Sequence, residues 1–151
     1  MTQIELSTRI NAPIGRCFDL ARNIDLHMES TKHTGEHAIA GRTSGLIEPG
    51  ETVTWRARHF GIRQTLTSKI TDFGRPNFFA DELVKGAFKS FRHEHRFHVQ
   101  NGQTVMKDVF AFESPLGILG RLVNWLVLKK YMTELLIKRN EVIKAVAESN
   151  R

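Results

Sequence analysis

The most specific chemistry in this sequence lies in one histidine and one aspartate. The dipeptide Asn101-Gly102 is typical of a two-residue β-hairpin turn, and a turn at that place sets His95 directly opposite Asp108. Opposed side chains of an antiparallel pair have Cβ atoms about 4.5–5.5 Å apart. A carboxylate at that distance favours the imidazolium form of the histidine and fixes the orientation of its ring. The pair is our candidate for acid–base catalysis or for binding a polar group of a ligand. The structural alternative is a buried pair that satisfies itself.

Further histidines raise the question of a metal site. His93 shares a strand face with His95, Asp108 is near, and His59 on another strand points to the same side. Imidazole and carboxylate groups are ligands of zinc, but this spacing alone is not specific. The sequence also has no GxGxxG, GxSxG or GxxxxGK[ST] motif. We therefore predict no metal and no cofactor.

Alternation of apolar and polar residues predicts the strands that position these groups. The hairpin register pairs Phe97 with Met106 and Phe91 with Phe112, so that both apolar faces fall on one side of the sheet. An earlier hairpin turns at Phe60-Gly61. It pairs Trp55 with Leu66 and Ala57 with Gln64.

The predicted elements follow a simple order. The strands cover residues 3–10, 36–40, 51–60, 62–71, 78–85 and the hairpin 88–114, with helices at 14–22, 24–30 and 115–147. This order is one strand, two short helices, six strands and a long helix. It predicts an α+β fold in which a curved antiparallel sheet of about seven strands wraps around the last helix.

The last helix is predicted to be one element, roughly 50 Å long if straight. Its first half is unusually apolar, and Gly117 and Gly120 weaken its first turns. We expect the entrance to a cavity there. Trp125, Leu128 and Tyr131 lie partly off the apolar stripe, which leaves a lid edge, a dimer contact and a membrane-touching surface open as alternatives.

The inward faces of sheet and helix predict the lining of that cavity. Most of the lining is aromatic or aliphatic, and an unpaired Asp81 in such a wall would be costly, so this carboxylate needs a partner or a water. The predicted lining residues are Trp55, His59, Gln64, Leu66, Phe79, Asp81, His93, His95, Phe97, Met106, Asp108, Phe110, Phe112, Leu122 and Leu126.

Composition limits the remaining classes of function. A chain of 151 residues with 40% apolar and 25% charged residues predicts a single domain over 1–151. The lone Cys17 excludes an intrachain disulfide and, with no predicted signal peptide, favours a cytoplasmic protein. The apolar window at 116–128 is too short to span a membrane. The net charge of +6 suits an anionic membrane surface, whereas the scattered basic residues give no nucleic-acid signature.

The chain resembles the START-like, helix-grip (SRPBCC) superfamily, which includes the birch-pollen allergen type, polyketide cyclase/dehydrase-like proteins and lipid-transfer domains. The resemblance covers essentially the whole chain. The residues that carry it are the run from Gly86 to Phe97, then Gly102, Thr104, Met106 and Asp108, the run Ser114-Pro115-Leu116-Gly117 with Gly120, and Arg139. It implies the helix-grip fold and a cavity, but no shared catalytic motif and no metal.

We therefore expect a protein that binds or transports a small hydrophobic molecule, a monomer or a homodimer, and more a ligand-binding protein than an enzyme. One alternative is an enzyme of cyclase/dehydratase type that uses His95 and Asp108 to move protons. Another is a module that contacts a partner protein or a membrane surface through its basic face or the region of Trp125.

Overall fold

The computed structural model describes residues 2–115 and 125–149 of the chain. Its elements are β1 (Thr2–Ile10), α1 (Ile14–Ala21), α2 (Ile24–Ser30), β2 (His37–Gly41), β3 (Thr52–His59), β4 (Ile62–Gly74), β5 (Phe78–Lys85), β6 (Phe88–Gln100), β7 (Gln103–Pro115) and α3 (Trp125–Ala147). The predicted order is confirmed, and the fold is the expected α+β helix-grip fold. Among the described residues, no helix is long and apolar enough to cross a membrane.

The seven strands form one antiparallel sheet in the order β1-β7-β6-β5-β4-β3-β2. The strands from β2 to β7 lie in sequence order because each turns back beside the one before it, whereas β1 pairs with the last strand. The short helices α1 and α2 fill the chain between β1 and β2. Contacts of α3 with β1, α1 and α2 hold the last helix against this assembly.

Both predicted hairpin registers are confirmed. His95 lies opposite Asp108, and Trp55 lies opposite Leu66. The two central residues of each turn have positive φ angles, as a type I′ turn requires: Phe60 (53°) and Gly61 (74°), then Asn101 (52°) and Gly102 (76°).

Strand β5 links this hairpin to the rest of the cavity wall. The register sets Phe79 opposite His95 and Asp81 opposite His93, so these side chains share one face, as predicted. On its other side β5 meets β4 with two register shifts, one of them between Ile70 and Asp72. Such bulges strengthen the local twist of a sheet and bend the strand.

The described part of the last helix confirms only part of the prediction. Pro115 still belongs to β7 and pairs with Phe88, so the predicted helix start at Pro115 is wrong. Residues 116–124, with the predicted entrance near Gly117 and Gly120, lie outside the described residues. Within α3, Leu128 is buried while Leu126 is 63% exposed. The apolar stripe therefore passes through Leu128, not through Leu126 as predicted.

Two apolar clusters form the core on the inner side of the sheet. The first joins α1, α2 and the end of α3 to one end of the sheet, and its members include Ile10, Phe18, Phe79, Phe97, Met106, Ile143 and Val146. The second joins the start of α3 to the other end, and consists of Ile4, Phe88, Phe91, Phe110, Phe112, Leu128 and Leu136. Strands β6 and β7 and helix α3 contribute to both clusters, and between the two clusters these three elements carry polar residues.

Candidate functional site

A cavity of about 220 Å³ lies between the sheet and α3. Its wall is built mostly from apolar side chains of β3 to β7 on one side and of α3 on the other. The apolar members include Ile47, Val53, Trp55, Leu66, Ile70, Phe79, Phe88, Phe91, Phe110, Leu128, Met132, Leu135 and Leu136. Because polar groups contribute only a small part of the surface of this wall, their positions decide what the cavity can recognise.

Nine of the residues predicted from the sequence line this cavity. They come from the five neighbouring strands β3 to β7, and all lie on the inner face of the sheet. They are Trp55, His59, Gln64, Leu66, Phe79, Asp81, His93, His95 and Phe110.

The structure places the other predicted lining residues elsewhere. Phe97 and Met106 are buried in the first apolar cluster, where the Phe97 ring packs 5.4 Å from that of Phe18. Phe112 is fully buried in the second cluster. The predictions for these three residues were wrong because α1 and the flanking aromatic rings cover both ends of the inner face. Leu126 faces outward, and Leu122 lies outside the described residues.

Asp108 is also absent from the cavity wall, because it lies one layer deeper. Its side chain is fully buried, and its carboxylate accepts hydrogen bonds from Nε2 of His93 (2.8 Å) and from Nδ2 of Asn140 (2.7 Å). Nη1 of Arg139 approaches at 3.5 Å. Burial alone would raise the pKa of this carboxyl, but the bond from His93 and the nearby positive charges outweigh it and hold the pKa well below its usual range.

The opposed residues His95 and Asp108 form no direct hydrogen bond, although the predicted backbone register is right. Nδ1 of His95 stays 3.6 Å from the Asp108 carboxylate, and its Nε2 instead donates to Oδ1 of Asp81 at 2.8 Å. This bond supplies the partner that a buried Asp81 was expected to need. Burial would raise the pKa of Asp81, but the His95 bond and the surrounding charges lower it.

His95 itself is held in its neutral form, contrary to our expectation of an imidazolium. Nη2 of Arg139 lies 3.4 Å from Nδ1 of His95, so Nδ1 faces a donor and Nε2 carries the proton that Asp81 accepts. Burial and the neighbouring His93 lower the pKa of His95 to about 4, and the Asp81 bond offsets only part of that effect. Phe79 stacks on the ring at 4.0 Å and fixes its plane.

Arg139 ties this polar layer to the helix. Its guanidinium donates to the backbone oxygen of Ala21 (3.0 Å) and to Oδ1 of Asn140 (3.0 Å), besides the approaches to Asp108 and His95. Four protein acceptors therefore surround this buried cation. The guanidinium organises the layer and has little capacity left for a ligand.

A second polar group closes one side of the cavity. Nδ1 of His59 and the hydroxyl of Tyr131 form a 2.6 Å hydrogen bond between β3 and α3, and the ring of Phe60 packs 4.5 Å from that of Tyr131. Beside it, His27 pairs with Glu36 and packs on Trp55 with ring centroids 4.4 Å apart. Together these contacts connect the tip of the β3–β4 hairpin to the helix.

Within the described part of the chain, the set of side chains that could hold a metal ion differs from the predicted one. Asp81, His93 and His95 each offer a ligand atom, and these atoms lie within 4.8 Å of one another. The donor types suit zinc, but Arg139 lies beside His95 and both imidazoles already donate to carboxylates. The absence of a metal stays a prediction.

Sequence reasoning missed several members of this site, and three of them on α3 are informative. Asn140 was not identified, Arg139 was not predicted to line the cavity, and Leu128 was placed off the inward stripe. The helix does carry a signal, since Arg139 and Asn140 follow Leu135 and Leu136 by four residues and therefore continue the inward face. Two adjacent polar residues on an apolar stripe indicate a polar layer on the facing strands.

Comparison with known proteins supports the fold and nothing finer. No family model matches the chain, and no curated protein matches its sequence. Among solved structures, a Thermus thermophilus protein is 18% identical with a TM-score of 0.73, over 97% of this chain and 99% of that one. A START superfamily protein from Mycobacterium smegmatis is 11% identical with a TM-score of 0.72, over 97% of each chain. A major latex-like protein from Panax ginseng is 15% identical with a TM-score of 0.64, over 98% of each chain.

Proposed function

We propose that the chain binds a small, mostly apolar molecule in the cavity between the sheet and α3. The single observation that carries this proposal is a cavity of about 220 Å³ whose surface is largely apolar. A dry apolar cavity of roughly 150 Å³ is enough to bind benzene. The volume here suits a compact molecule of one or two rings.

The fold is consistent with this role without specifying it, because one fold supports many functions. Lipid binding, the cytoplasmic location and the single-domain organisation remain expectations from the sequence. They require their own experiments.

Native mass spectrometry of protein purified from its own host tests the proposal directly. We expect an adduct of small mass that disappears when the protein is denatured. A ligand-free spectrum, together with no binding of naphthalene by calorimetry, would overturn the proposal.

A cavity-filling variant adds a matched control. Ala57 is buried and lines the cavity, so Ala57→Leu should displace the ligand while leaving the fold intact. Ala111 on β7 faces away from the cavity, and Ala111→Leu adds the same atoms without affecting binding. Equal loss of binding in both variants would show that the cavity is not the site.

The second candidate function is an acid–base enzyme of cyclase/dehydratase type. The observation in its favour is that His93, His95 and Asp81 line the cavity. Asp108 does not, so the carboxylate of any such mechanism is Asp81 instead of the predicted Asp108. His95→Phe should then abolish turnover of an identified substrate, and an unchanged rate would remove His95 from the mechanism.

A contact with an anionic membrane surface is a separate expectation from the net charge of +6. Pelleting with anionic liposomes at low salt and release at high salt would support it. The cavity is no argument for this function.

A further inference from the structure

We infer that the ligand of this cavity carries a hydrogen-bond donor, a hydroxyl or a protonated amine, at the end that meets Asp81 and His93, and that carboxylates are rejected. This inference rests on the proposed binding function and adds the chemical class of the ligand. At this end of the cavity, some polar atoms are already hydrogen-bonded within the protein and others are open to a ligand.

Among the described residues, two arginines line the cavity, and both already donate to acceptors of the protein. Arg139 is surrounded by four acceptors of the protein. Arg22, the other arginine of the wall, donates to the backbone oxygen of Ile47 and to the carboxylates of Asp19 and Glu48. An anionic ligand would have to compete with bonds that are already made.

At this end of the cavity the open atom of Asp81 is an acceptor. Asp81 uses Oδ1 for His95, and no described residue contacts its Oδ2 within hydrogen-bond distance. His93 donates its Nε2 proton to Asp108, and no described residue contacts its Nδ1 within hydrogen-bond distance.

These two atoms keep accessible surface. Among the described residues, the only fully buried side-chain oxygen or nitrogen without a partner is Oγ of Ser90. Oδ2 of Asp81 and Nδ1 of His93 also have no partner there, so neither is fully buried. Both residues line the cavity, and the side chain of His93 is only 7% exposed, so its open surface belongs to the cavity.

The charges of the layer point the same way. Two carboxylates, those of Asp81 and Asp108, lie in this layer beside one guanidinium, that of Arg139. A ligand carboxylate would face the open oxygen of Asp81 at short range, whereas a hydroxyl or an ammonium group would donate to it.

Four probes with one apolar skeleton test the inference: naphthalene, naphthol, naphthoate and naphthalene-methylammonium. Calorimetry of the purified chain, in buffer with chelator at a mildly alkaline pH, gives the four affinities. One bond to a charged acceptor corresponds to roughly tenfold or more in affinity. We expect naphthol or the ammonium probe to bind about tenfold more tightly than naphthalene, with naphthoate the weakest. The ratio of the affinities for naphthol and for the ammonium probe shows whether the site prefers a neutral or a cationic ligand.

A variant that exchanges the acceptor for a donor makes the test sharper. In Asp81→Asn, the amide oxygen still accepts the His95 proton, and the amide nitrogen replaces the open oxygen. We expect the preference to invert, with naphthoate gaining about tenfold over naphthol. The control is Asp72→Asn, an exposed residue on β4 outside the cavity wall, which removes the same charge from the chain.

The outcomes separate the two proposals. If no probe binds, naphthalene included, the proposed function fails. If naphthalene binds but neither donor probe binds more tightly, or if naphthoate is preferred by the wild type, the binding function stands and this inference is overturned. Should Asp81→Asn fail to fold, the four affinities of the wild type decide alone.

Discussion

Acidification should destabilise this protein through His95 well before its carboxylates titrate. The pKa of His95 is lowered from 6.5 to about 4 by burial, so between these values the unfolded chain binds a proton that the native state refuses. The stabilisation is therefore fully present above the unfolded pKa of 6.5, decreases as the pH falls, and is lost once the pH reaches about 4.

The magnitude follows from the same shift. One pKa unit corresponds to about 1.4 kcal/mol, so the full effect is about 3 kcal/mol, of which about 2 kcal/mol is lost by about pH 5. His95 is 3% exposed, so solvent screening takes little from this figure. The pKa of His59 is also lowered by burial, which adds a smaller loss of the same sign.

Urea denaturation of the wild type at several pH values between about 8 and about 5 measures this loss. In His95→Gln the pH dependence should shrink by about 2 kcal/mol over that interval. His98→Gln, at an exposed position of the same strand, should leave it unchanged. An unaltered pH dependence in His95→Gln, or an imidazole of His95 that titrates near 6.5 by NMR, would refute the reasoning.

Two further sets of variants test the buried charges of the site and the packing of a glycine on β2. Asp108→Ala should lower the free energy of unfolding, measured by urea denaturation, by about 3–5 kcal/mol because it leaves the charge of Arg139 buried without its carboxylate. The double variant with Arg139→Met should lose less than the sum of the two single variants. Additive costs would mean that the two charges do not interact. Gly41→Ala should cost more than about 2 kcal/mol because its Cβ would lie against the backbone oxygen of Thr52, whereas Gly45→Ala, with a similar positive φ and open space, should cost about 1 kcal/mol. Equal melting temperatures for the two glycine variants would contradict that steric account.

The sequence was sufficient for the parts of the fold that local patterns determine. The Asn101-Gly102 turn and the alternation on both sides of it set the register that places His95 opposite Asp108. The same logic held for the turn at Phe60-Gly61. In both hairpins the turn and the flanking strands lie within a short stretch of chain.

The partners of each side chain could not be read from the sequence, because they come from distant elements. His95 bonds to Asp81 of β5 instead of the opposed Asp108, and Asp108 takes His93 and Asn140 as donors. This choice depends on the position of α3 over the sheet, which no local pattern encodes. The rotation of that helix about its own axis was mispredicted for the same reason. The predicted apolar stripe contained residues on both sides of the face that packs on the sheet.

Stability alone does not account for the polar layer between the two apolar clusters. Replacing a buried ionic group by apolar residues of similar volume is often neutral or stabilising. On β6, β7 and α3, apolar residues stand on both sides of the polar ones, so an uninterrupted apolar core would suit this fold.

The bonding inside the layer indicates what it is for. Hydrogen bonds to neighbouring side chains hold Asp81 and His93 rigidly at the cavity, and the oxygen of Asp81 that is left open is an acceptor. A rigid acceptor in an apolar cavity binds a donor with little loss of side-chain entropy, since the protein has already ordered this group on folding. Under the proposed binding function, ligand selection explains the cost of burying these charges, and the Asp81→Asn variant separates that role from a purely structural one.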